Sequence, residues 1–195
     1  MSSITTEKRE SILVHAAKAF CKLGFRKTSV DDIARAAGVA KGTVYLAAPS
    51  KEDLFYQVVY REVRDWQAHC FRFVDPREAA DQLLKTLVNE ATAYVITRPI
   101  LVDLLCGKLG ESMPKWTARF DDLRAIGRAN LIEVLRLGVR QGVFRSTLDV
   151  ETVASLLQDF QLAPWVLHGP ASTAQMRQSA EVGVDLILNG LCKRD

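Results

Sequence analysis

Lys41, Gly42, Thr43 and Tyr45 crowd into one short stretch and set a cation, an unobstructed backbone, a hydroxyl and a phenol side by side. Their shared chemistry is the binding of a polyanion. Hydroxyls and the N-terminus of a helix grip phosphate, and side chains at such an end reach base edges in the major groove. Lys51 opens a further helical stretch and is placed to reach another phosphate.

A short helix must present this cluster. Ser29–Ala48 reads SVDDIARAAGVAKGTVYLAA. Ser29 is a good N-cap, and Asp31 and Asp32 suit the positive end of a helix running from Val30 to Ala37. Gly38 supplies the turn, and a second short helix runs from about Ala40 to Ala47. Ile33, Ala34, Ala37, Val39 and Val44 are the apolar positions that seal the two together. This is a helix-turn-helix pattern. The bland alternative is a solvated face on a helical hairpin.

The rest of the chain is helical in period as well. Ile12, Leu13, Ala16, Ala17 and Phe20 mark one face of a first helix, capped by Thr5 or Thr6 and stopped by Gly24. Ser50 and Asp53 form a capping-box start for a fourth helix reaching about Phe73. Further helices are expected over Arg77–Thr97, Ile100–Lys108, Trp116–Arg140, Leu148–His168 and Ala174–Cys192, with a loop at Gly110–Pro114. The expected fold is all-α with about nine helices. A three-helix DNA-binding domain covers residues 1–50, and a larger helical domain covers residues 51–195.

Composition excludes several classes. The chain has 195 residues, 48% hydrophobic and 25% charged, which suits neither a disordered chain nor a membrane protein. The longest uncharged run, Phe160–Met176, contains Pro164, Gly169 and Pro170 and is not a membrane span. The net charge of +3 sits wholly in residues 1–60, and the remainder is neutral. Cys21, Cys70, Cys106 and Cys192 are scattered and read as small buried groups, without zinc or disulfide spacing. His15, His69 and His168 are scattered too. Asp121 and Asp122 are adjacent and diverge on a helix. No HExxH, GxSxG, P-loop or dinucleotide fingerprint occurs. No enzyme activity, cofactor or metal is expected. The N-terminus lacks the apolar core of a signal peptide, so a cytoplasmic location is expected.

Residues 7–60 resemble the DNA-binding domain of TetR-type transcriptional regulators. The matching features are Arg9, Ile12, Ala16-Ala17, Phe20, Gly24, Thr28-Ser29, Ile33-Ala34, Ala37-Gly38-Val39, Lys41-Gly42-Thr43-Val44-Tyr45 and Ser50-Lys51-Glu52-Asp53-Leu54. Leu137–Leu148 resembles the family's link between its seventh and eighth helices. The resemblance implies that Lys41, Gly42 and Thr43 approach bases or backbone, and that Tyr45 and Lys51 hold phosphates. Thr28 and Ser29 would lie near the DNA backbone. Ala47 and Ala48 depart from the family, which usually places an aromatic or His and then an aromatic there. A lost phosphate contact and a looser domain are the expected consequences.

The resemblance further implies a small-molecule cavity and a dimer interface in the larger domain. Trp66, Phe73, Tyr94, Leu104, Trp116, Phe120, Leu123 and Phe160 are the candidate cavity residues, with plain core packing as the alternative for each. Val150, Val153, Ala154, Leu157 and Gln161 form one candidate dimer stripe. Val182, Leu186 and Asn189, with Val184, Ile187 and Leu191 nearby, form another. Both stripes are equally able to face their own core. The function implied is a ligand-responsive repressor, bound as a homodimer to a palindromic double-stranded DNA operator. The alternative is a ligand sensor or protein-interaction module with weakened or lost DNA binding.

Overall fold

The computed structural model of the chain describes residues 4–105, 117–168 and 173–191, which form nine helices and no strand. The chain divides into two compact units, Met1–Glu62 and Val63–Asp195. The division falls inside the fourth helix.

In the first unit, α1 (Thr6–Lys27) starts at Thr5, whose hydroxyl accepts from the Lys8 N–H at 3.4 Å. Gly24 has φ 75°, a conformation that suits glycine, and it interrupts the helix where the sequence expects a stop. α2 (Val30–Ala36) is capped by Ser29, which accepts from the Asp32 N–H at 3.1 Å. Gly38, with φ 66°, then turns the chain, and the Val39 N–H donates to the Ala34 carbonyl at 3.0 Å. α3 (Lys41–Ala47) follows. α4 (Lys51–Phe71) begins at Ser50, which accepts from the Asp53 N–H at 3.0 Å and donates to the Asp53 carboxylate at 2.7 Å. That is the reciprocal arrangement of a capping box, with Asp in place of Glu.

Ile12, Phe20, Ile33, Val44, Leu54 and Phe55 are buried at the centre of this unit. Burying a side chain such as Ile33 is worth about 1.5–3 kcal/mol. Phe55 meets Phe20 edge-on at 4.8 Å between centroids and Phe25 at 5.2 Å.

The second unit holds α5 (Ala80–Ile96), α6 (Pro99–Leu105), α7 (Thr117–Gln141), α8 (Val150–His168) and α9 (Thr173–Leu191). α5 starts later than its sequence period suggests, because Asp75 folds the preceding residues into a turn. Its carboxylate accepts from the Arg77 backbone N–H at 3.0 Å and from the guanidinium at 2.6 Å. Those bonds hold the Asp75 carboxyl down at about 2. No side chain of its own caps α5. Gln141 does so from the end of α7: its Oε1 accepts from the Ala80 N–H at 3.0 Å, and its Nε2 donates to the Glu78 carbonyl at 2.8 Å. α5 packs on α7 and α9, and α8 packs on both of those helices. Leu83, Leu84, Leu87, Leu135, Leu157 and Leu188 fill the space between them.

The candidate DNA-reading helix and the helical cavity

α3 divides cleanly into two faces. Val44 and Ala47 turn into the core, while Lys41, Gly42, Tyr45 and Leu46 face solvent and Thr43 is half-buried. Tyr45 is 43% exposed and Leu46 60%. A Cβ built on Gly42 meets nothing within 4 Å, so the fold itself has no need of glycine there. The ammonium of Lys41 lies 2.8 Å from the Asp31 carboxylate on α2. That bond, and the charge of Asp31, raise the Lys41 pKa above its ordinary value.

Three other expected phosphate-side residues sit differently. Thr28 is buried, and its hydroxyl donates to the Gly24 carbonyl at 2.8 Å and the Ala19 carbonyl at 3.2 Å. It closes the C-terminal end of α1. Ser29 is occupied as the cap of α2. Lys51 is half-buried: its ammonium donates to the Thr28 carbonyl at 2.9 Å and lies 4.4 Å from the centre of the Phe25 ring. These three make bonds within the first unit, while Lys41, Gly42 and Tyr45 lie on the exposed side of α3 with Thr43 half-buried beside them. Leu46 belongs with them and carries no signal in the sequence, because a leucine there reads as core.

Ala47 and Ala48 are both buried. Gln57 reaches from α4 to the Ala47 carbonyl at 3.1 Å and satisfies the end of α3.

The second unit contains a cavity between α4, α5, α6, α7 and α8 with a free volume of about 30 Å³. Trp66, Gln67, Cys70, Leu87, Ala91, Thr92, Val95, Leu105, Gly127, Asn130, Leu131, Gln158, Gln161, Leu162 and Trp165 line it. Burial pushes the Cys70 thiol up to about 12.

Of the cavity residues expected from sequence, Trp66 lines this space. Tyr94 lies instead in a surface groove with His69, Arg72 and Arg98. Its ring lies tilted against His69 at 4.9 Å between centroids and carries the Arg98 guanidinium at 4.8 Å. Phe73 is exposed, Leu104 is half-buried outside the cavity wall, and Leu123 is buried elsewhere in the unit. Phe160 is 45% exposed on the outer side of α8, against Gly183 of α9. Trp116, Cys106, Cys192, the 110–114 loop and Gly169-Pro170 lie outside the described residues, as do the side chains of Phe120, His168 and Leu191.

The two stripes on α8 and α9 are also resolved. Ala154 and Leu157 join their own core, with Val150, Val153 and Ile187 packed against it. Val184 is in that core too, and Gln161 lines the cavity. The exposed apolar side chains are Leu156 and Phe160 on α8 and Val182 and Leu186 on α9, and Asn189 is exposed as well.

Among the described residues no group of three or more His, Cys, Asp or Glu is placed to hold a metal ion. No described helix is long and apolar enough to cross a membrane.

Residues 12–58 match the family described as "Bacterial regulatory proteins, tetR family". The chain is 28% identical over 193 residues to the HTH-type transcriptional repressor KstR2 of Mycobacterium tuberculosis, covering 95% of this chain and 94% of the relative. It is 28% identical over 197 residues to the HTH-type transcriptional repressor BepR of Brucella suis, covering 94% and 87%. Among solved structures, the TetR family transcriptional regulator PfmR from Thermus thermophilus is 29% identical with a TM-score of 0.65, covering 93% of this chain and 99% of that one.

Proposed function

We propose, from the match of residues 12–58 to the tetR family of bacterial regulatory proteins, that the chain is a TetR-type regulator and a cytoplasmic repressor. In this reading a homodimer holds a palindromic operator and releases it when a small molecule enters the second unit. The observation that carries the DNA-reading half is the outward edge of α3. Lys41, Gly42 and Tyr45 project together from a helix whose opposite face is sealed by Val44 and Ala47. A glycine that its own fold does not require is explained by a partner that approaches closely at that point. Both named relatives are repressors, which favours repression here.

The exposed apolar side chains of α8 and α9 support the dimer. Phe160, Val182 and Leu186 share one surface, with Leu186 65% exposed. A second copy would cover them in a four-helix arrangement. Two recognition helices roughly 34–36 Å apart then read successive turns of one duplex face.

α4 supplies the coupling. Lys51 and Gln57 fasten helices of the first unit, and Trp66, Gln67 and Cys70 on the same helix line the cavity. A ligand that prefers one placement of α4 changes DNA affinity, and DNA changes ligand affinity by the same factor.

The test is selection of a binding site from a random duplex pool with the full chain, followed by anisotropy titration across salt concentrations. The reading expects a palindromic site, salt-sensitive binding and about a tenfold loss for Lys41→Ala. Binding without sequence preference, or none at low salt, overturns it.

A further inference from the structure

We propose that Gln57 is a positioning residue for DNA reading: its side-chain amide fixes the C-terminal end of α3 and so sets how the leading edge of that helix meets the duplex. This rests on the reading of α3 as the helix that enters the major groove.

The amide is used at both ends. Its Nε2 donates to the carbonyl of Ala47, the last residue of α3, at 3.1 Å. Its Oε1 accepts from the Arg9 guanidinium on α1 at 2.9 Å. A guanidinium only donates and a carbonyl only accepts, so one orientation of the amide satisfies both neighbours and the other satisfies neither. Arg9 therefore keeps the donor end of Gln57 turned to α3. All three residues belong to the first unit.

Apolar packing gives this end of α3 little hold. The helix is seven residues long, and its buried side chains are Val44 and Ala47. Ala47 and Ala48 bring only methyl groups to the core. A methyl contact has no preferred direction, whereas a hydrogen bond holds both distance and angle. The last carbonyls of a helix have no donor within it, which leaves that of Ala47 open to Gln57. One turn along α4, Arg61 pairs with Glu10 of α1. Loss of the Gln57 amide therefore leaves α1 and α4 tied and releases α3. Base readout depends on short-range contacts, while general affinity for DNA is electrostatic and blind to sequence. A released α3 loses site preference before it loses DNA.

The experiment uses the full chain with the duplex selected from a random pool and a scrambled duplex of the same length. Anisotropy is read below the melting transition of each variant. Gln57→Met keeps the bulk of the side chain and loses both bonds. Gln57→Glu keeps the acceptor for Arg9 and loses the donor to Ala47. Both should lower the ratio of selected to scrambled affinity about 5- to 10-fold. Gln57→Met should hold affinity for the scrambled duplex within about twofold of wild type. Arg9→Ala, at an exposed side chain, frees the amide to turn and should lower the ratio about threefold. A ratio unchanged in the Gln57 variants, or equal losses on both duplexes, overturns the proposal and leaves the DNA-reading helix in place if wild type prefers its site. A wild type that prefers no duplex overturns both. If neither Gln57 variant folds, Arg9→Ala decides, and an unchanged ratio there overturns the proposal.

Discussion

The ammonium of Lys41, first residue of α3, is bonded to the carboxylate of Asp31 on α2 at 2.8 Å. Both side chains are about half exposed. An exposed pair of this kind adds little to stability. Its consequence is competitive: a phosphate approaching Lys41 meets a cation that already has a partner, and an acid beside it.

Asp31→Asn should therefore bind DNA more tightly, by about 3- to 10-fold at low salt, with little change in melting temperature. Anisotropy with the selected duplex measures the first effect and thermal unfolding the second. Unchanged affinity would place Asp31 clear of the DNA field.

Lys41→Ala and Lys51→Ala should give opposite patterns. Lys51 satisfies the Thr28 carbonyl and rests on Phe25, so its loss is expected to cost about 1–2 kcal/mol of stability. Lys41→Ala should leave the melting temperature in place and weaken DNA binding. Urea unfolding beside anisotropy separates the two, and equal stability losses would contradict the division.

Leu46 is an exposed apolar group on α3, the helix proposed to read DNA. Such a side chain suits a thymine methyl in the major groove. Leu46→Ala should lower affinity for the selected site about fivefold, with non-specific binding unchanged. Replacing thymine by uracil in the site should reproduce the loss in wild type and add nothing in the variant.

Ala48→Phe supplies the aromatic that the TetR resemblance implies for this position, yet Ala48 is almost wholly buried. Overpacking is expected to destabilise the first unit by about 1–3 kcal/mol. A rise in melting temperature would show that the site is underfilled.

Cys70 gives the pH dependence. Burial raises its folded pKa to about 12 from 9.0, so the folded state holds this proton more firmly than the unfolded chain does. Its contribution is complete below pH 9 and is lost as pH rises from 9 toward 12. Cys70→Ala should flatten that part of the stability profile.

The helix ends were largely legible because caps act over a few residues. Thr5, Ser29, Gly24, Gly38 and Ser50 all act where the sequence places them. α5 starts late because the Asp75–Arg77 turn wins over a continuing helical period. The outward position of Lys41, Gly42 and Tyr45 on α3 was legible from residue type and spacing, whereas the bonds that Thr28 and Lys51 make within the first unit were not. A hydroxyl or ammonium serves a phosphate or a backbone carbonyl equally well, and only three-dimensional proximity decides between them. The cavity was the least legible part. Its distinctive residues are Gln158, Asn130 and Gly127, which carry no apolar bulk, and such bulk is what marks Phe73, Tyr94 and Phe160 in the sequence. On α8 the outward residues Leu156 and Phe160 lie one helical step from Leu157 and Gln161, an ambiguity the period leaves open.

The central claim is that the leading edge of α3 meets DNA at close range, and Gly42→Leu tests it most directly. Leucine is the better helix former by roughly 0.8–1 kcal/mol, and a Cβ at this position has open space. The account predicts an equal or higher melting temperature with at least about a tenfold loss of operator affinity. Operator affinity unchanged in that stable variant would contradict it.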